Sequence, residues 1–429
     1  MCRSTGFTRC ALSGAKRSAG NHSENHGVRD RMALIYLLLF ASPQLLLYLY
    51  LRERLPLSAR RVLTVVFVVF NIPWGIVAVR MFSGSLWGIS RVPYIAPWIA
   101  WQLLGWIFCA LVAVYIVAKA VGRLGGLAVS KLRHAPTAEP PDRPTALSRR
   151  QFLVRATYTY AAAGLGLSAY GIWNAERLPS ITRRTLVFPD LPPALDGLRI
   201  AHVSDVHAGI HMPEEKMTQI VALTNALGAD LIVQTGDMID ISQSYIPAYV
   251  RAFRDLHAPL GVVTVLGNHD RYTGADAVIK GVRDAGQTFV KNGVHVIEHR
   301  GAAIALVGID DPRNWRADDP QDDDLAEALR VTPPASQAFR ILLAHRPGAF
   351  DGAAPRGIPL TLAGHIHGGQ FYLPVIGWSP GRLITKYVMG HFQKRSSQLY
   401  VSRGIGVVGV PLRIFVPPEI ALFELRRSG

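Results

Sequence analysis

The feature that most constrains this chain is a series of short apolar runs in its second half, several of them followed at once by polar side chains. Six such runs are present: Leu198–Val203, Asp230–Gln234, Val262–Leu266, Ala303–Val307, Arg340–Ala344 and Pro359–Ala363. Residues at helical spacing lie between the first three runs, over Met212–Leu227 and Tyr245–Leu256. Short apolar runs that alternate with helices indicate the strands of an α/β sheet protein.

Residues able to bind a metal ion follow five of these runs, at the point where each predicted strand ends. They are Asp205, His207, Asp237, Asn268, His345, His365 and His367. The carboxyl ends of neighbouring strands form a ligand crevice in such proteins, and carboxylate, imidazole and amide ligands suit Mn, Fe or Zn ions. Asp237 could bridge two ions with its two oxygens, and His365 and His367 could serve one ion each. The sequence therefore predicts a metal centre and does not distinguish among Mn, Fe and Zn as its ions.

The order of these residues resembles the calcineurin-like metallophosphoesterase family over about 190–425. Five blocks carry the resemblance: Asp205-x-His207, Gly236-Asp237-x-x-Asp240, Gly267-Asn268-His269-Asp270, His345 and Gly364-His365-x-His367. The resemblance implies an α/β fold in which two sheets pack as a sandwich and are flanked by helices. It also implies a phosphoester hydrolase whose two divalent ions hold a bridging hydroxide as the nucleophile.

The roles that the family gives these residues transfer to the chain position by position. The first ion would be held by Asp205, His207, Asp237 and His367, and the second by Asp237, Asn268, His345 and His365. His269 would contact the phosphoryl group as an acid or charge stabiliser, and Asp270 would orient His269. Arg346 is a candidate contact for substrate phosphate, with a solvent salt bridge as the alternative. Because every catalytic position is intact, we expect turnover rather than a module that binds a phosphorylated ligand without hydrolysis.

The substrate is less constrained than the chemistry. The block Gly364–Gln370, Gly-His-Ile-His-Gly-Gly-Gln, resembles a subfamily of membrane-linked bacterial enzymes, some of which act on the pyrophosphate of a lipid A precursor. The apolar segment Phe371–Phe392 follows it and predicts either ordinary core or an apolar lip that admits acyl chains. A nuclease is a further alternative. The soluble part has no stripe of basic residues interleaved with aromatics, so we expect no nucleic-acid partner.

The first third of the chain carries apolar runs of the length that crosses a bilayer, about 20 residues. Three of them predict an all-α transmembrane region over 32–133: Ala33–Leu51, Val62–Val79 and Pro93–Ala118. The linker over 134–155 contains Ser148–Leu153, Ser-Arg-Arg-Gln-Phe-Leu, which resembles a twin-arginine export signal. A fourth apolar stretch, 156–175, is predicted to be a transmembrane or signal-anchor helix before a phosphoesterase domain at 186–429.

The distribution of charge sets the predicted orientation. Much of the net charge of +16 lies beside the apolar runs, and Lys and Arg are concentrated after the first and third of them. We therefore expect a multi-pass protein of the bacterial inner membrane, with its catalytic domain on the extracytoplasmic side, delivered by the twin-arginine or Sec machinery. The basic tail over 1–31 conflicts with this orientation and predicts either disorder or a translation start at Met32. No cysteine follows Cys109, so the domain has no disulfide and no thiolate metal ligand.

Overall fold

The computed structural model describes residues 42–53, 166–312, 316–409 and 411–428, with a few shorter pieces between 56 and 163. The chain divides into two compact units, Met1–Gly166 and Leu167–Gly429. In the first unit, residues 42–52 are helical. The second unit contains the whole of the predicted phosphoesterase domain and begins before the predicted boundary at 186.

Two six-stranded sheets form the framework of the second unit. In spatial order the first sheet consists of β1 (Ser180–Phe188), β12 (Glu419–Arg427), β2 (Arg199–Val203), β3 (Leu231–Thr235), β4 (Val262–Val265) and β5 (Thr288–Phe289). The second consists of β10 (Gly390–Lys394), β11 (Ser397–Val401), β9 (Leu360–Ala363), β8 (Ala338–Leu343), β7 (Ala302–Gly308) and β6 (Gly293–His299). All six runs predicted as strands are strands.

The central strands of both sheets run parallel. In the first sheet β2, β3, β4 and β5 are parallel neighbours, and in the second β7, β8, β9 and β11 are. Every residue of β3 and of β9 is buried, as expected of parallel strands that are covered on both faces. The parallel arrangement brings the carboxyl ends of β2, β3 and β4 to one edge, where the polar residues of the sequence motifs begin.

Helices cover the outer faces of the sheets. They are α2 (Glu214–Asn225), α3 (Ile246–Phe253), α4 (Asn268–Asp284), α5 (Asp322–Arg330) and α6 (Ala349–Ala353), and a further helix, α1 (166–176), precedes β1. One buried apolar cluster joins α2, α3 and α4 to the first sheet, and another joins α5 and α6 to the second. A third cluster, which includes Ile200, Val263, Ile341 and Phe423, fills the space between the sheets. The order helix, sheet, sheet, helix confirms the predicted two-sheet sandwich.

From residue 167 onward, α1 packs within the second unit through a face of small and polar side chains. Ser168, Gly171, Asn174 and Ala175 are buried at the spacing of one helical face. The Nδ2 group of Asn174 donates to the backbone carbonyl of Arg413 at 2.8 Å. The backbone N–H of Arg413 in turn donates to the carbonyl of Gly171 at 2.9 Å. The helix is therefore part of the domain.

The prediction of a multi-pass inner-membrane protein with an extracytoplasmic catalytic domain is wrong. Among the residues that the structure describes, no helix combines the length and the apolar content needed to cross a bilayer. The described part of the fourth apolar stretch, 166–175, instead buries one face against protein. The tail over 1–31, the linker over 134–155 with its twin-arginine-like motif, and most of the three runs within 32–133 lie outside the described residues.

A substitution of Phe423, on β12, measures how much the apolar cluster between the two sheets stabilises the domain. Its side chain is fully buried and packs against the ring of Tyr400, with centroids 4.9 Å apart. Because Phe423→Ala leaves a cavity, we expect the free energy of unfolding, measured by urea denaturation, to fall by about 3–5 kcal/mol. The control Val187→Ala on β1, where the side chain is 47% exposed, should cost about 1 kcal/mol or less. An equally small effect of Phe423→Ala would contradict this packing.

Candidate metal centre

The seven predicted metal ligands come together at the carboxyl ends of five strands. They follow β2 (Asp205, His207), β3 (Asp237), β4 (Asn268), β8 (His345) and β9 (His365, His367). Five of them have left-handed backbone conformations: Asp205 (φ 56°), His207 (49°), Asp237 (55°), His365 (73°) and His367 (52°). This conformation costs a non-glycine residue about 1–2 kcal/mol. The loops are therefore bent, at a local cost, to aim these side chains at one place.

Two motif glycines allow the ligand loops to approach each other. A Cβ atom on Gly267 would overlap Oδ1 of Asp237, and one on Gly364 would overlap Oδ2 of Asp205. Only glycine leaves room for a carboxylate to lie directly against the backbone of a neighbouring loop. The glycines in the Gly-Asn-His-Asp and Gly-His-x-His blocks are thus required by the close contact of the loops.

One group of ligand atoms joins Asp205, His207 and His367. Nε2 of His367 lies 3.2 Å from Oδ1 of Asp205 and 3.1 Å from Nε2 of His207. Oδ2 of Asp237 lies 3.5 Å from the same nitrogen of His207. Ligand atoms of Asp205, His207 and His367 all lie within 4.8 Å of one another. The structure thus brings together the four side chains predicted for the first ion.

A second group forms around His345. Its Nδ1 lies 2.8 Å from the carbonyl oxygen of Thr235, which can only accept, so Nδ1 donates there and Nε2 is the nitrogen that faces the other side chains of the group. That Nε2 lies 3.1 Å from Oδ1 of Asn268, 3.2 Å from Oδ2 of Asp237 and 3.1 Å from Nδ1 of His365. Lone pairs that face one another at these distances need a shared proton or a cation. These are the four residues predicted for the second ion.

The charges at the centre also suit cations. Burial raises the pKa of Asp237, but the positive charges of His345 and His269 outweigh burial and hold this pKa well below its usual range. Against the same effect of burial, His367 holds the pKa of Asp205 low. Two ionised carboxylates repel each other in a buried site, and cations between them relieve that repulsion. The donor set of carboxylate, imidazole and amide oxygen therefore fits divalent metal ions.

His269 lies at the edge of both groups. Its Nδ1 donates to the carbonyl of Asp240 at 2.8 Å and lies 3.3 Å from Oδ1 of Asp240. Burial lowers the pKa of His269, but the charges of Asp237 and Asp240 outweigh it and raise the pKa to about 9. A cation bound at Asp237 would lower it again. His207, Asp237 and His269 also offer atoms within 4.8 Å of one another, so the ring adjoins the candidate metal ligands.

Asp240, rather than Asp270, holds the ring of His269. The carboxylate of Asp270 accepts from the backbone N–H groups of Ile239 at 3.0 Å and Gly267 at 2.9 Å. The prediction that Asp270 orients His269 is corrected by this geometry, because the carboxylate at the third position of α4 turns back to cap the start of the helix. Asp270 therefore fixes the backbone between two metal-binding loops.

Arg346 is not the open phosphate contact that was considered. Its side chain is 1% exposed and forms a two-point ion pair with Asp311, with Nε 2.7 Å from Oδ1 and Nη2 3.0 Å from Oδ2. Arg346 thus forms a salt bridge, as in the alternative interpretation, but this salt bridge is buried and not exposed to solvent. The neighbouring Asp310 pairs instead with Arg271 and Lys291.

One residue at the centre was missed in the sequence. Arg413 is fully buried, and its Nη2 donates to Nδ1 of His367 at 3.1 Å. It lies in the stretch Pro411–Pro417, which contains no metal-binding pattern. In the sequence, Arg413 stands out only as an arginine among prolines and apolar residues, and this pattern does not indicate that its side chain contacts a histidine.

The two-sheet fold and its buried groups of Asp, Asn and His define a metal-dependent phosphoesterase. The pattern of the family described as calcineurin-like phosphoesterase matches residues 198–369. The uncharacterized metallophosphoesterase YkuE of Bacillus subtilis is 32% identical over 294 residues, which are 66% of this chain and 99% of that protein. The chain therefore belongs to the calcineurin-like phosphoesterase family and is a phosphoesterase.

Two further relatives extend the comparison. The transmembrane protein with metallophosphoesterase domain of Danio rerio is 29% identical over 271 residues, which are 61% of this chain and 61% of that protein. An uncharacterized metallophosphoesterase of Aquifex aeolicus is 26% identical over 58% of this chain and 92% of its own length. This chain thus spans about three fifths of the Danio rerio protein. The names of these relatives state the family and no substrate.

Asp237 lies close to a histidine of each ligand group, His207 and His345. We expect Mn²⁺ at a hundredfold excess over its Kd to raise the free energy of unfolding of the wild type by about 2.7 kcal/mol. Asp237→Asn should lose most of this gain, because the amide keeps the shape but not the charge. The control Asp276→Asn, an exposed position on α4, should keep it. Urea denaturation with and without Mn²⁺ makes the measurement, and an equal gain in both variants would contradict the assignment.

Proposed function

We propose that this protein hydrolyses phosphoester bonds at a centre of two divalent metal ions and that its substrates are lipid-linked phosphoesters. The observation that carries the two-ion centre is the position of Asp237 between two groups of ligand atoms. The first ion is assigned to Asp205, His207, Asp237 and His367, and the second to Asp237, Asn268, His345 and His365. Mn²⁺ suits these mixed oxygen and nitrogen ligands, and Fe and Zn are the alternatives.

The protein contributes chiefly by holding its ligands in place. When bound, two such ions lower the pKa of a water molecule and neutralise charge on the phosphoryl oxygens. The backbone N–H of His207 donates to the carbonyl of Asp237 at 2.9 Å, and that of Asp205 donates to the carbonyl of Gly236 at 3.0 Å. These bonds join the loops after β2 and β3. Substrate therefore meets a site that needs little rearrangement.

His269 is assigned the role of protonating the leaving oxygen or stabilising its charge. Because Nδ1 is held by Asp240, Nε2 is the nitrogen left to face a substrate. The side chain of His269 is 16% exposed, whereas that of His207 is 1% exposed. The backbone N–H of His269 donates to Oδ1 of Asp237 at 2.8 Å. This bond fixes the backbone of His269, the proposed acid, next to Asp237, the ligand proposed to be shared by both ions. His269 is therefore placed between solvent and the ligand groups.

Removing the imidazole of His269 should slow turnover and leave the metal content unchanged. For a phosphodiester with an alkoxide leaving group, we expect His269→Ala to lower kcat by about 10²–10⁴-fold. The loss should be smaller for bis-p-nitrophenyl phosphate, because p-nitrophenolate leaves without a proton. His257→Ala, an exposed position that bonds the carbonyl of Asp255, is the control. Equal losses on both substrates would contradict the acid role, and a loss of bound metal would make His269 a ligand.

An exposed apolar surface supports a lipid-linked substrate. We call it the apolar lip, and it comprises Val375 (97% exposed), Ile376 (68%), Leu383 (79%) and Ile384 (51%). The Oγ of Ser379, within the same segment, donates to the carbonyl of Gly368 at 2.7 Å, so the lip is tied to the loop that carries His367. In contrast, Tyr387 and Val388 from the same segment join a buried cluster. Clustered exposed apolar residues mark a binding surface, and acyl chains would cover this one.

Charge placed on the apolar lip should discriminate between substrates. We expect the double variant Val375→Asp, Ile376→Asp to raise KM about thirtyfold for a diacylated sugar phosphoester, because each side chain loses about 1 kcal/mol of apolar contact. Its kcat/KM for bis-p-nitrophenyl phosphate should not change. Val331→Asp, 63% exposed at the end of α5, is the control. An unchanged KM for the acylated substrate would contradict the lipid-linked class without touching the two-ion centre.

A further inference from the structure

The first turn of α4 presents an exposed aromatic ring beside the proposed acid. We propose that Tyr272 is a specificity-determining residue whose ring packs against a ring in the leaving group of the substrate. The enzyme would then favour phosphoesters whose leaving group carries a flat, apolar ring face, as sugars and aromatic groups do. The inference rests on the two-ion centre and on the acid role of His269 proposed above.

Tyr272 is the most exposed aromatic side chain in the described part of the chain, at 70%. It is also the one exposed residue of the turn from Asn268 to Thr273. A single exposed aromatic residue needs no explanation by itself, but its position beside the proposed acid gives this one a possible partner. An exposed ring gains free energy when a ligand covers its apolar face.

The ring of Tyr272 adjoins the ring of His269. Their centroids are 5.9 Å apart, and their planes are inclined at 54°. Residues three apart in a helix lie on the same face, so the backbone of α4 sets this contact. Because Asp240 holds Nδ1 of His269, the leaving oxygen would bond to Nε2 at about 3 Å. A ring attached to that oxygen therefore comes within reach of Tyr272.

The turn that carries Tyr272 is fixed at both ends. At its start, Asp270 caps the helix. At its end, Gly274 leaves the helical conformation with a φ of 120°, and Nε2 of Gln243 donates to the carbonyl of Thr273 at 2.9 Å. A tyrosine has few rotatable bonds, so on a fixed turn it loses little conformational entropy when a ligand binds.

The neighbours of Tyr272 in the turn have partners within the domain, whereas Tyr272 has almost none. Arg271 forms an ion pair with Asp310, and Thr273 is buried. Within the described residues, the hydroxyl of Tyr272 has no hydrogen-bond partner, and the ring of His269 is its one aromatic contact. Packing of the domain therefore does not account for the ring, and a contact with substrate does.

Calorimetric titration of the full-length, Mn²⁺-loaded protein with two phosphonates tests this contact. Phenylphosphonate and methylphosphonate offer the same charged group to the ions, and only the first carries a ring. Tyr272→Ala should raise Kd for phenylphosphonate about two- to tenfold, the range for loss of an aromatic pair. Its Kd for methylphosphonate should not change. Tyr272→Phe keeps the ring and should bind both phosphonates like the wild type.

Cyclohexylphosphonate distinguishes the two kinds of ring. If Tyr272→Ala weakens it as much as phenylphosphonate, the contact accepts a saturated ring of the kind that sugars have. If only phenylphosphonate is weakened, the contact is with an aromatic leaving group. Either result supports a ring contact at Tyr272.

The control is Trp173→Ala, which removes an exposed aromatic ring whose neighbours are Tyr170 and Arg177; it should bind all three phosphonates like the wild type. An unchanged Kd for phenylphosphonate in Tyr272→Ala would overturn this inference. An equal rise in Kd for phenylphosphonate and methylphosphonate would also overturn it, since Tyr272 would then act only through His269. A wild type that binds none of the phosphonates in the presence of Mn²⁺ would overturn the two-ion centre instead.

Discussion

The burial of Asp205 and Asp237 side by side is the constraint on which the rest of this domain depends. Both carboxylates are out of contact with solvent, and both are held in the ionised form. Like charges repel strongly in such an interior. His345, after β8, and His269, on α4, supply part of the opposing charge, and two divalent cations would supply the rest. The left-handed residues and the motif glycines are the local cost of bringing these groups together.

The sandwich makes this convergence possible because each sheet supplies part of the centre. The loops of the first sheet carry Asp205, His207, Asp237 and Asn268, whereas those of the second carry His345, His365 and His367. The apolar cluster between the sheets therefore fixes the relative position of the two sets of ligands. Residues from the two ends of the domain, α1 and the stretch around Arg413, meet behind His367.

Sequence reasoning predicted the parts of this structure that depend on local pattern. The buried parallel strands are continuous apolar runs, and their polar ends supplied the seven ligands. Strand β1 was not predicted, because Arg183 and Arg184 lie within it and its partner β12 is at the far end of the domain. The choice between Asp240 and Asp270 as the partner of His269 depends on where a side chain points after folding. Hydropathy likewise did not distinguish a lipid-facing helix from α1, whose small residues pack against protein.

Anomalous X-ray diffraction from crystals of the full-length protein grown with Mn²⁺ tests the central claim most directly. The two-ion centre predicts two anomalous peaks about 3.5–4 Å apart. One should lie among Asp205, His207 and His367, the other among Asn268, His345 and His365, and the carboxylate of Asp237 should coordinate both. A single peak, or two peaks that do not share Asp237, would contradict the account.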